Sequence, residues 1–159
     1  KIMGEKSVQS MNNGLVLRTN IIGWTQENKT SFAEWVLNSL NDNTPLNLFY
    51  DVYFSPLNVY DLSFIIEKII EKPILGLYHC GSSDNISKYD FGKKMAEIFQ
   101  QPDLNINRVS VDSVNFKASR PKNMALNSDK LSDKLQYDIP SAIDSIVHMK
   151  NQYDSQLKN

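Results

Sequence analysis

Apolar residues along the chain follow two periods that alternate from one segment to the next. Lys1 to Met11 is typical of the end of a helix, and Leu15-Val16-Leu17 is an apolar run typical of a buried strand. Between them, Asn12-Asn13-Gly14 supplies residues that tolerate a left-handed helix C-cap. The chain therefore begins with a step from helix to strand.

Two segments further along have strong helical patterns. Thr30-Ser31 can cap a helix from Phe32 to Leu40, which Asn41-Asp42-Asn43 then ends. The next helix can be capped by Asn58 or by Asp61, and it stops at Pro73. Its apolar stripe consists of Leu62, Ile65, Ile66, Ile69 and Ile70.

Short apolar runs between and after these helices predict strands. They are Leu46 to Phe49, Tyr53-Phe54, Leu75 to Gly81 and Ile106 to Val111, and Pro56 limits sheet pairing after the second. Further helices are predicted from about Ser87 to Phe99, from Ser128 to Leu135 and after Pro140, with Arg120 to Asn123 in a loop and Tyr153 to Asn159 fraying. The alternation of helices and strands indicates an α/β fold.

Composition and length favour one folded domain. A chain of 159 residues can bury one substantial core, and no repeat or long Gly/Ser linker marks a second domain. The formal net charge is −1 and the basic residues are scattered, which argues against a nucleic-acid partner. Cys80 is the only cysteine, so an internal disulfide and a multi-cysteine metal site are excluded, and we expect a small buried residue there and no metal.

The sequence favours a cytoplasmic protein without a membrane anchor. The most apolar helical stretch, Leu62 to Ile70, is interrupted by Glu67 and Lys68 and is too short to span a bilayer. Local motifs for phosphate binding or nucleophilic catalysis are absent from the sequence. His79 and His148 are far apart, and structural hydrogen bonding is the favoured role for each over catalysis.

An ordered set of segments nevertheless resembles one family. The segments are Lys1 to Glu5, Arg18 to Gly23, Ser31-Phe32, Asp51 to Pro56, Gly76 to His79, Ser87 to Phe91 and Arg120 to Asn123. Their order is similar to that in dTDP-4-dehydrorhamnose reductases and their sugar-nucleotide relatives, which are extended short-chain dehydrogenase/reductases. The order is more specific than any one segment.

This resemblance implies a split architecture. An N-terminal Rossmann half, with its Gly-rich loop, would bind NADPH or NADH, and the C-terminal part would close over a nucleotide-sugar. Residues 1–159 would be that C-terminal part: 1–23 the last helix and strand of the Rossmann part, and 24–159 mostly the nucleotide-sugar-binding subdomain. The expected partners are the nucleotide-sugar, the missing N-terminal half and a second copy in a homo-oligomer. The chain alone is expected to be inactive.

The resemblance also assigns roles near the start of the chain. Lys1 matches the lysine of the Tyr-x-x-x-Lys pair, which contacts the cofactor and lowers the tyrosine pKa because an ammonium favours the phenolate. The alternative for Lys1 is a solvated surface charge. Thr19 and Asn20 follow the first strand, where α/β sheets place ligands, so both are expected at the cofactor and Asn20 also at the sugar. Alternatively, they only cap the strand.

The remaining candidates would bind substrate. Ser31 and Phe32 match positions that touch the nucleotide, with Phe32 against the base or, equally, in the helix core. Tyr53 and Ser55 match the loop on the substrate side. Arg120 presents a planar fork of donors suited to a diphosphate, with a surface ion pair as the alternative, and Asn123 would support it.

Two other functions stay open at this point. Ile21 stands where rhamnose-forming members often carry Trp, and Trp24 comes later, so the sugar is not specified. A non-catalytic regulatory or binding subunit of the same fold, akin to that of methionine adenosyltransferase, is one alternative. A nucleotide-sugar epimerase or dehydratase with tightly held NAD is the other.

Overall fold

The computed structural model describes residues 1–25 and 29–156 of the chain. Its helices are α1 (Ile2–Gln9), α2 (Phe32–Asn41), α3 (Val59–Glu71), α4 (Lys88–Ile98), α5 (Asp129–Leu135) and α6 (Ala142–Gln156). Its strands are β1 (Leu15–Thr19), β2 (Ile21–Ile22), β3 (Leu46–Phe49), β4 (Tyr53–Phe54), β5 (Leu57–Asn58), β6 (Gly76–Cys80), β7 (Ile86–Ser87), β8 (Ile106–Val109) and β9 (Asn123–Met124). A 3₁₀ turn covers Val111–Ser113. The predicted α/β class is confirmed.

Side-chain caps fix where α2 and α3 begin. Ser31, one of the two residues predicted to cap α2, is its N-cap. It forms a reciprocal capping box with Glu34. Asn58 caps α3 through a hydrogen bond of 2.9 Å that its side-chain oxygen accepts from the Tyr60 N–H. Asp61, the other candidate, lies within the first turn of α3.

Two predictions about helix ends are wrong. The C-cap of α1, Ser10, has a right-handed conformation, and none of residues 12–14 has a positive φ. Left-handed non-glycine residues follow α2, α4 and α5 instead, at Asn43, Gln100 and Gln136. Gly14 serves close packing instead, because a Cβ there would lie 2.0 Å from the Val8 carbonyl oxygen. At the other end of the chain, Tyr153 belongs to α6 and does not fray. Its ring centroid lies 5.8 Å from that of Phe99, so the two rings pack together. Residues 157–159 lie outside the described part.

Parallel pairing joins strands that are distant in sequence. β1 pairs with β6, β2 with β5, and β3 with β8, all in parallel. β4 pairs antiparallel with β7 and parallel with β9. The segment 120–123, predicted to be a loop, thus ends in a strand residue, Asn123, paired with Tyr53. This pairing brings the segment after Arg120 beside β4.

Two apolar clusters form the core. The larger joins α2, β3, α4 and α6, and the smaller joins α3, β6 and α5. Of the predicted α3 stripe, Leu62, Ile65 and Ile69 pack into the smaller cluster. The expectation that Ile66 and Ile70 belong to the same buried face is wrong, because they are 42% and 74% exposed on a flank that no described element covers. No helix in ranges 1–25 and 29–156 is both long enough and apolar enough to cross a membrane.

Candidate functional site

A cavity of about 420 Å³ lies between α2, β3, the start of α4 and the segment 116–124. Its walls are mainly apolar and aromatic, and they include Phe32, Trp35, Phe49, Phe116 and Met124. Among the described residues, Lys88 and Arg120 are the only charged ones that line it, and no carboxylate does. A concave apolar site with a few convergent polar groups is the usual form of a small-molecule site. Here the two charged groups are both basic.

Phe32 belongs to the core and to the cavity at once. It is the first residue of α2, and its ring centroid lies 5.4 Å from that of Phe91 and 5.8 Å from that of Phe54. The Trp35 ring, one turn along the helix, is 5.9 Å away. Phe32 is only partly buried, so the ring also faces the cavity. The two alternatives for Phe32, base contact and helix core, are therefore compatible.

Lys88 projects from the first position of α4 onto these aromatic rings. Its Nζ lies 3.2 Å from the centroid of Phe54 and 3.9 Å from that of Phe32. Among the described residues, Nζ has neither a hydrogen bond nor an ion pair. Burial lowers the pKa of this amine to about 7 because a charged group loses its hydration there. Part of the Lys88 population is therefore neutral near neutral pH.

Arg120 lies at the rim of the cavity. Its guanidinium carbon is 5.3 Å from the Phe116 ring centroid, and the residue is exposed. Within the described part of the chain, no carboxylate lies within ion-pair distance of it. The surface ion pair that was its alternative role is thus absent from the described residues. Its donors are free to bind a ligand.

A second cavity, of about 430 Å³, adjoins the other face of β9. Asn123 lines it together with Tyr53, Asp51 and Lys122, whereas the next residue, Met124, lines the first cavity. Successive residues of a strand point to opposite faces, so β9 forms a wall of both cavities. Tyr53 and Asn123 are thereby brought together, as neighbours in register.

Asp51 organises the loop beside the second cavity. Its carboxylate accepts hydrogen bonds from the Ser110 hydroxyl (2.7 Å) and the Val111 N–H (2.9 Å), and the Lys122 ammonium is 3.1 Å away. These interactions, with the Ser110 hydrogen bond as the largest, lower the pKa of Asp51 to about 2. The charged carboxylate thus fixes the turn that leads towards Arg120.

Five sequence candidates line neither cavity, and four of them are not fully buried. Lys1 is exposed just before α1, and Thr19 ends β1 opposite Cys80. The Ser31 hydroxyl is used in the capping box and donates to the Gly23 carbonyl oxygen (2.8 Å). Asn20 donates from its side-chain amide to the carbonyl oxygen of Met124. Asn20 therefore does not line the first cavity itself but holds Met124, which does.

Ser55 is also outside both cavities, because it is fully buried. Its hydroxyl donates to the Leu126 carbonyl oxygen (3.3 Å) and accepts from the Leu126 N–H (3.1 Å). The hydroxyl thus links β4 to the chain after β9. The hydroxyl therefore has a structural contact in this structure, and a role of Ser55 on the substrate side stays a prediction.

Sequence reasoning missed Lys88, Trp35 and Phe116 as cavity residues. Trp35 lies in the helix predicted from Phe32 to Leu40, and it is 43% exposed at the cavity. Lys88 was noted only as part of the helix start Ser87 to Phe91. The sequence contains one signal for Lys88: it directly follows the helix cap Ser87, so it lies in the first turn of α4. Nothing local, however, places it near Phe32 and Phe54.

A third cavity, of about 740 Å³, is lined by residues of α3 and α6. In it the Asp61 carboxylate is buried and satisfied: His148 Nδ1 lies 2.6 Å from Oδ1, and the Ser145 hydroxyl donates to Oδ2 (2.9 Å). His148 thus has the structural hydrogen bond expected of it. Across ranges 1–25 and 29–156, no group of three or more His, Cys, Asp or Glu side chains could hold a metal ion.

Several proteins resemble this chain. It is 21% identical over 154 residues to the probable low-salt glycan biosynthesis reductase Agl14 of Haloferax volcanii, a match that covers 94% of this chain and 51% of the relative. The dTDP-4-dehydrorhamnose reductase of Bacillus anthracis, in complex with NADP, superposes with a TM-score of 0.84 at 23% identity, over 96% of this chain and 53% of that one. A Clostridium acetobutylicum dTDP-4-dehydrorhamnose reductase superposes with a TM-score of 0.83 at 20% identity, over 97% of this chain and 54% of that one.

These similarities define the class of protein to which the chain belongs. The mixed α/β fold is shared with the solved dTDP-4-dehydrorhamnose reductases, over about half of each of those chains. The chain belongs to the RmlD substrate binding domain family, which its residues 1–155 match. It spans about half the length of the relatives described above.

Proposed function

We propose that this chain is the nucleotide-sugar-binding portion of an NAD(P)H-dependent reductase that acts on a dTDP-4-keto-deoxysugar. One observation carries the proposal: Phe32 and Arg120, each assigned to the nucleotide from the sequence, line one cavity that contains two basic groups and no carboxylate. A nucleotide-sugar has an aromatic base and a doubly charged diphosphate, and both complement this lining. Family membership supports the same substrate class.

Each side chain has a distinct task in this proposal. The Arg120 guanidinium binds the diphosphate with paired donors, and Phe32 and Trp35 form the apolar surface for the base. Tyr53 and Asn123, which line the neighbouring cavity, contact the sugar. Ser31 and Ser55 support them by capping α2 and by holding Leu126. Asn20 holds the wall that Met124 contributes.

The reductase chemistry would be completed by a Rossmann half outside these residues. Related proteins named as reductases, one of them in complex with NADP, support NADPH or NADH as the hydride donor. In the whole protein, Lys1 would contact the cofactor and lower the pKa of a tyrosine one helical turn earlier, and Thr19 and Asn20 would face the cofactor. Residues 1–23 would complete the Rossmann sheet, and 24–159 would form most of the sugar-nucleotide subdomain.

Binding is the direct test of the proposed site. Calorimetric titration of the chain with dTDP should give a saturable isotherm, and Arg120→Ala should weaken the affinity by about tenfold or more, because it removes a charge-assisted contact. Arg108→Ala is the matched control, since the Arg108 guanidinium stacks on Tyr50 (3.8 Å) and lines neither cavity. Equal affinities for all three proteins would refute the site.

Catalysis needs a separate test on the whole protein. The full-length product of the gene should oxidise NADPH when dTDP-4-keto-6-deoxysugar is added, while residues 1–159 alone should not. The binding-subunit alternative predicts no oxidation, and the epimerase or dehydratase alternative predicts product without net cofactor consumption. The named relatives favour the reductase over both.

A further inference from the structure

The amine of Lys88 occupies an unusual environment within the cavity. A lysine that packs against a protein surface normally extends its ammonium into water. Lys88 instead holds Nζ over two ring faces, 3.2 Å from the Phe54 centroid and 3.9 Å from the Phe32 centroid. In the ranges 1–25 and 29–156 it has no hydrogen-bond acceptor and no carboxylate partner. The amine is thus placed at the cavity wall without the anion that such a position requires.

Packing alone does not explain an amine at this position. Its contacts with the rings could be made by an apolar side chain of similar length, such as methionine. Burial lowers the pKa of Lys88 to about 7, because the ammonium loses hydration and no described hydrogen-bond acceptor or carboxylate replaces it. A bound anion would supply what is missing.

We propose that Lys88 is a second phosphate-binding residue of the cavity, and that it acts together with Arg120 on the diphosphate of the nucleotide. The inference rests on the proposed function, because it takes the same cavity and the same substrate class. It adds a basic group that was not among the residues predicted to bind substrate. Arg120 binds from the exposed rim, whereas Lys88 binds from the half-buried wall.

No other described group competes for the charge of Lys88. Among the elements that line the cavity, α2 contributes Phe32 and Trp35, β3 contributes Asn47, Leu48 and Phe49, and β9 contributes Met124, none of which is ionised. The segment 116–121 contributes Arg120, a charge of the same sign. On α4 itself, Asp90 accepts the hydrogen bond of the Ser87 hydroxyl at the helix cap. An incoming phosphate would therefore be the counterion for both cations.

The arrangement makes nucleotide affinity depend on pH. Below about pH 7 Lys88 is already charged, whereas above it the free amine is neutral and must take up a proton as the phosphate binds. Affinity for dTDP should then fall by up to tenfold per pH unit above about 7, until the pKa of the bound state is reached. The proton comes from the buffer, so it can be counted.

The test uses dTDP and thymidine with the wild-type chain, Lys88→Met and Lys88→Arg. Lys88→Met should weaken dTDP binding by about tenfold or more at pH 7 while leaving thymidine affinity unchanged, because only dTDP carries phosphates. Lys88→Arg, which is always charged, should restore most of the dTDP affinity and remove its decline above pH 7. Thermal unfolding of each variant checks that the fold is retained.

Calorimetry at pH 8 in buffers of different ionisation enthalpy gives an independent readout. The wild-type chain should take up close to one proton per dTDP, and both variants close to none. Equal dTDP affinity and equal proton uptake in wild type and Lys88→Met would refute the role of Lys88 but leave the proposed function intact. A parallel loss of dTDP and thymidine affinity in Lys88→Met would show a packing role and also refute it. If the wild type binds no dTDP, both proposals fail.

Discussion

The side-chain amide of Asn20 donates a hydrogen bond of 2.8 Å to the main-chain carbonyl oxygen of Met124. This bond joins the end of β1 to β9, although the two residues lie 104 positions apart in the sequence. β9 has only two residues and its strand partner is β4, so the amide adds a second attachment. Asn20 thus connects the predicted cofactor side of the fold to the wall of the first cavity.

Replacement of Asn20 by Ala should loosen β9. We expect a loss of about 1 kcal/mol in the free energy of unfolding, the usual contribution of one such hydrogen bond, together with weaker dTDP binding because Met124 is less well fixed. Urea unfolding and calorimetric titration measure the two effects. Asn38→Ala is the control, since Asn38 is exposed on α2. Unchanged stability in Asn20→Ala would show that the bond does not hold β9.

Gly14 should be far less tolerant of substitution than Gly4. A Cβ at Gly14 would lie 2.0 Å from the Val8 carbonyl oxygen, so the joint between α1 and β1 must move, and we expect Gly14→Ala to destabilise the chain by about 1–3 kcal/mol. Gly4 lies within α1 with open space around it. Gly4→Ala should therefore stabilise the chain by about 0.5–1 kcal/mol. Urea unfolding of both variants measures these changes. A lower free energy of unfolding for Gly4→Ala than for Gly14→Ala would contradict this account.

The stability of the chain should depend on Asp51 in acid. The pKa of Asp51 is lowered to about 2 in the folded protein, chiefly by the Ser110 hydroxyl, from an ordinary value near 4. Its charge therefore stabilises the fold above about pH 4, and this contribution is lost as the pH falls towards 2.

Urea unfolding between pH 5 and 2 measures this contribution. Asp51→Asn should flatten the fall in stability across that window, because the residue can no longer take up a proton. Asp133→Asn changes an exposed aspartate that makes no hydrogen bond or ion pair with any described residue, and it should leave the profile as in the wild type. A profile for Asp51→Asn that parallels the wild type would rule out the proposed linkage.

The single thiol should be unreactive in the folded chain. Cys80 is fully buried in β6, and burial raises the pKa of its thiol to about 11, so both access and thiolate are lacking at pH 8. An aromatic disulfide reagent should modify it only as fast as the chain unfolds. A Ser83→Cys variant adds a thiol at an exposed site, which should react at once. Rapid modification of the wild-type chain would mean that β6 opens locally.

Local patterns predicted the helices well because each helix carries its own evidence. Ser31 and Asn58 are capping residues followed directly by apolar periodicity, and both begin the helices expected of them. The paired strands β2 and β5 were not predicted, since two residues cannot show a period and their partners lie far along the chain. Pairing over such distances is decided by tertiary structure.

The candidate site, like the fold, could be predicted only in part from the sequence. Phe32 and Arg120 carry chemistry that the resemblance could assign, and the structure places both at one cavity. Ser55 shows the limit of this reasoning, because its hydroxyl bonds to Leu126, 71 residues later, and a sequence position alone does not reveal such a partner. Lys88 shows the converse, as its significance depends on Phe54 and Phe32 being packed beneath it.

The parallel pairing also sets the order in which the protein can mature during synthesis. Leu46 of β3 lies opposite Ile106 of β8, and Tyr53 of β4 lies opposite Asn123 of β9. Loops this long must close before the pairs form, which makes such folding slow compared with that of local structure. Because Met124 forms part of the wall of the first cavity, a nascent chain cannot complete that cavity until this residue has left the ribosome. A chain that stopped before Met124 would lack that part of the wall.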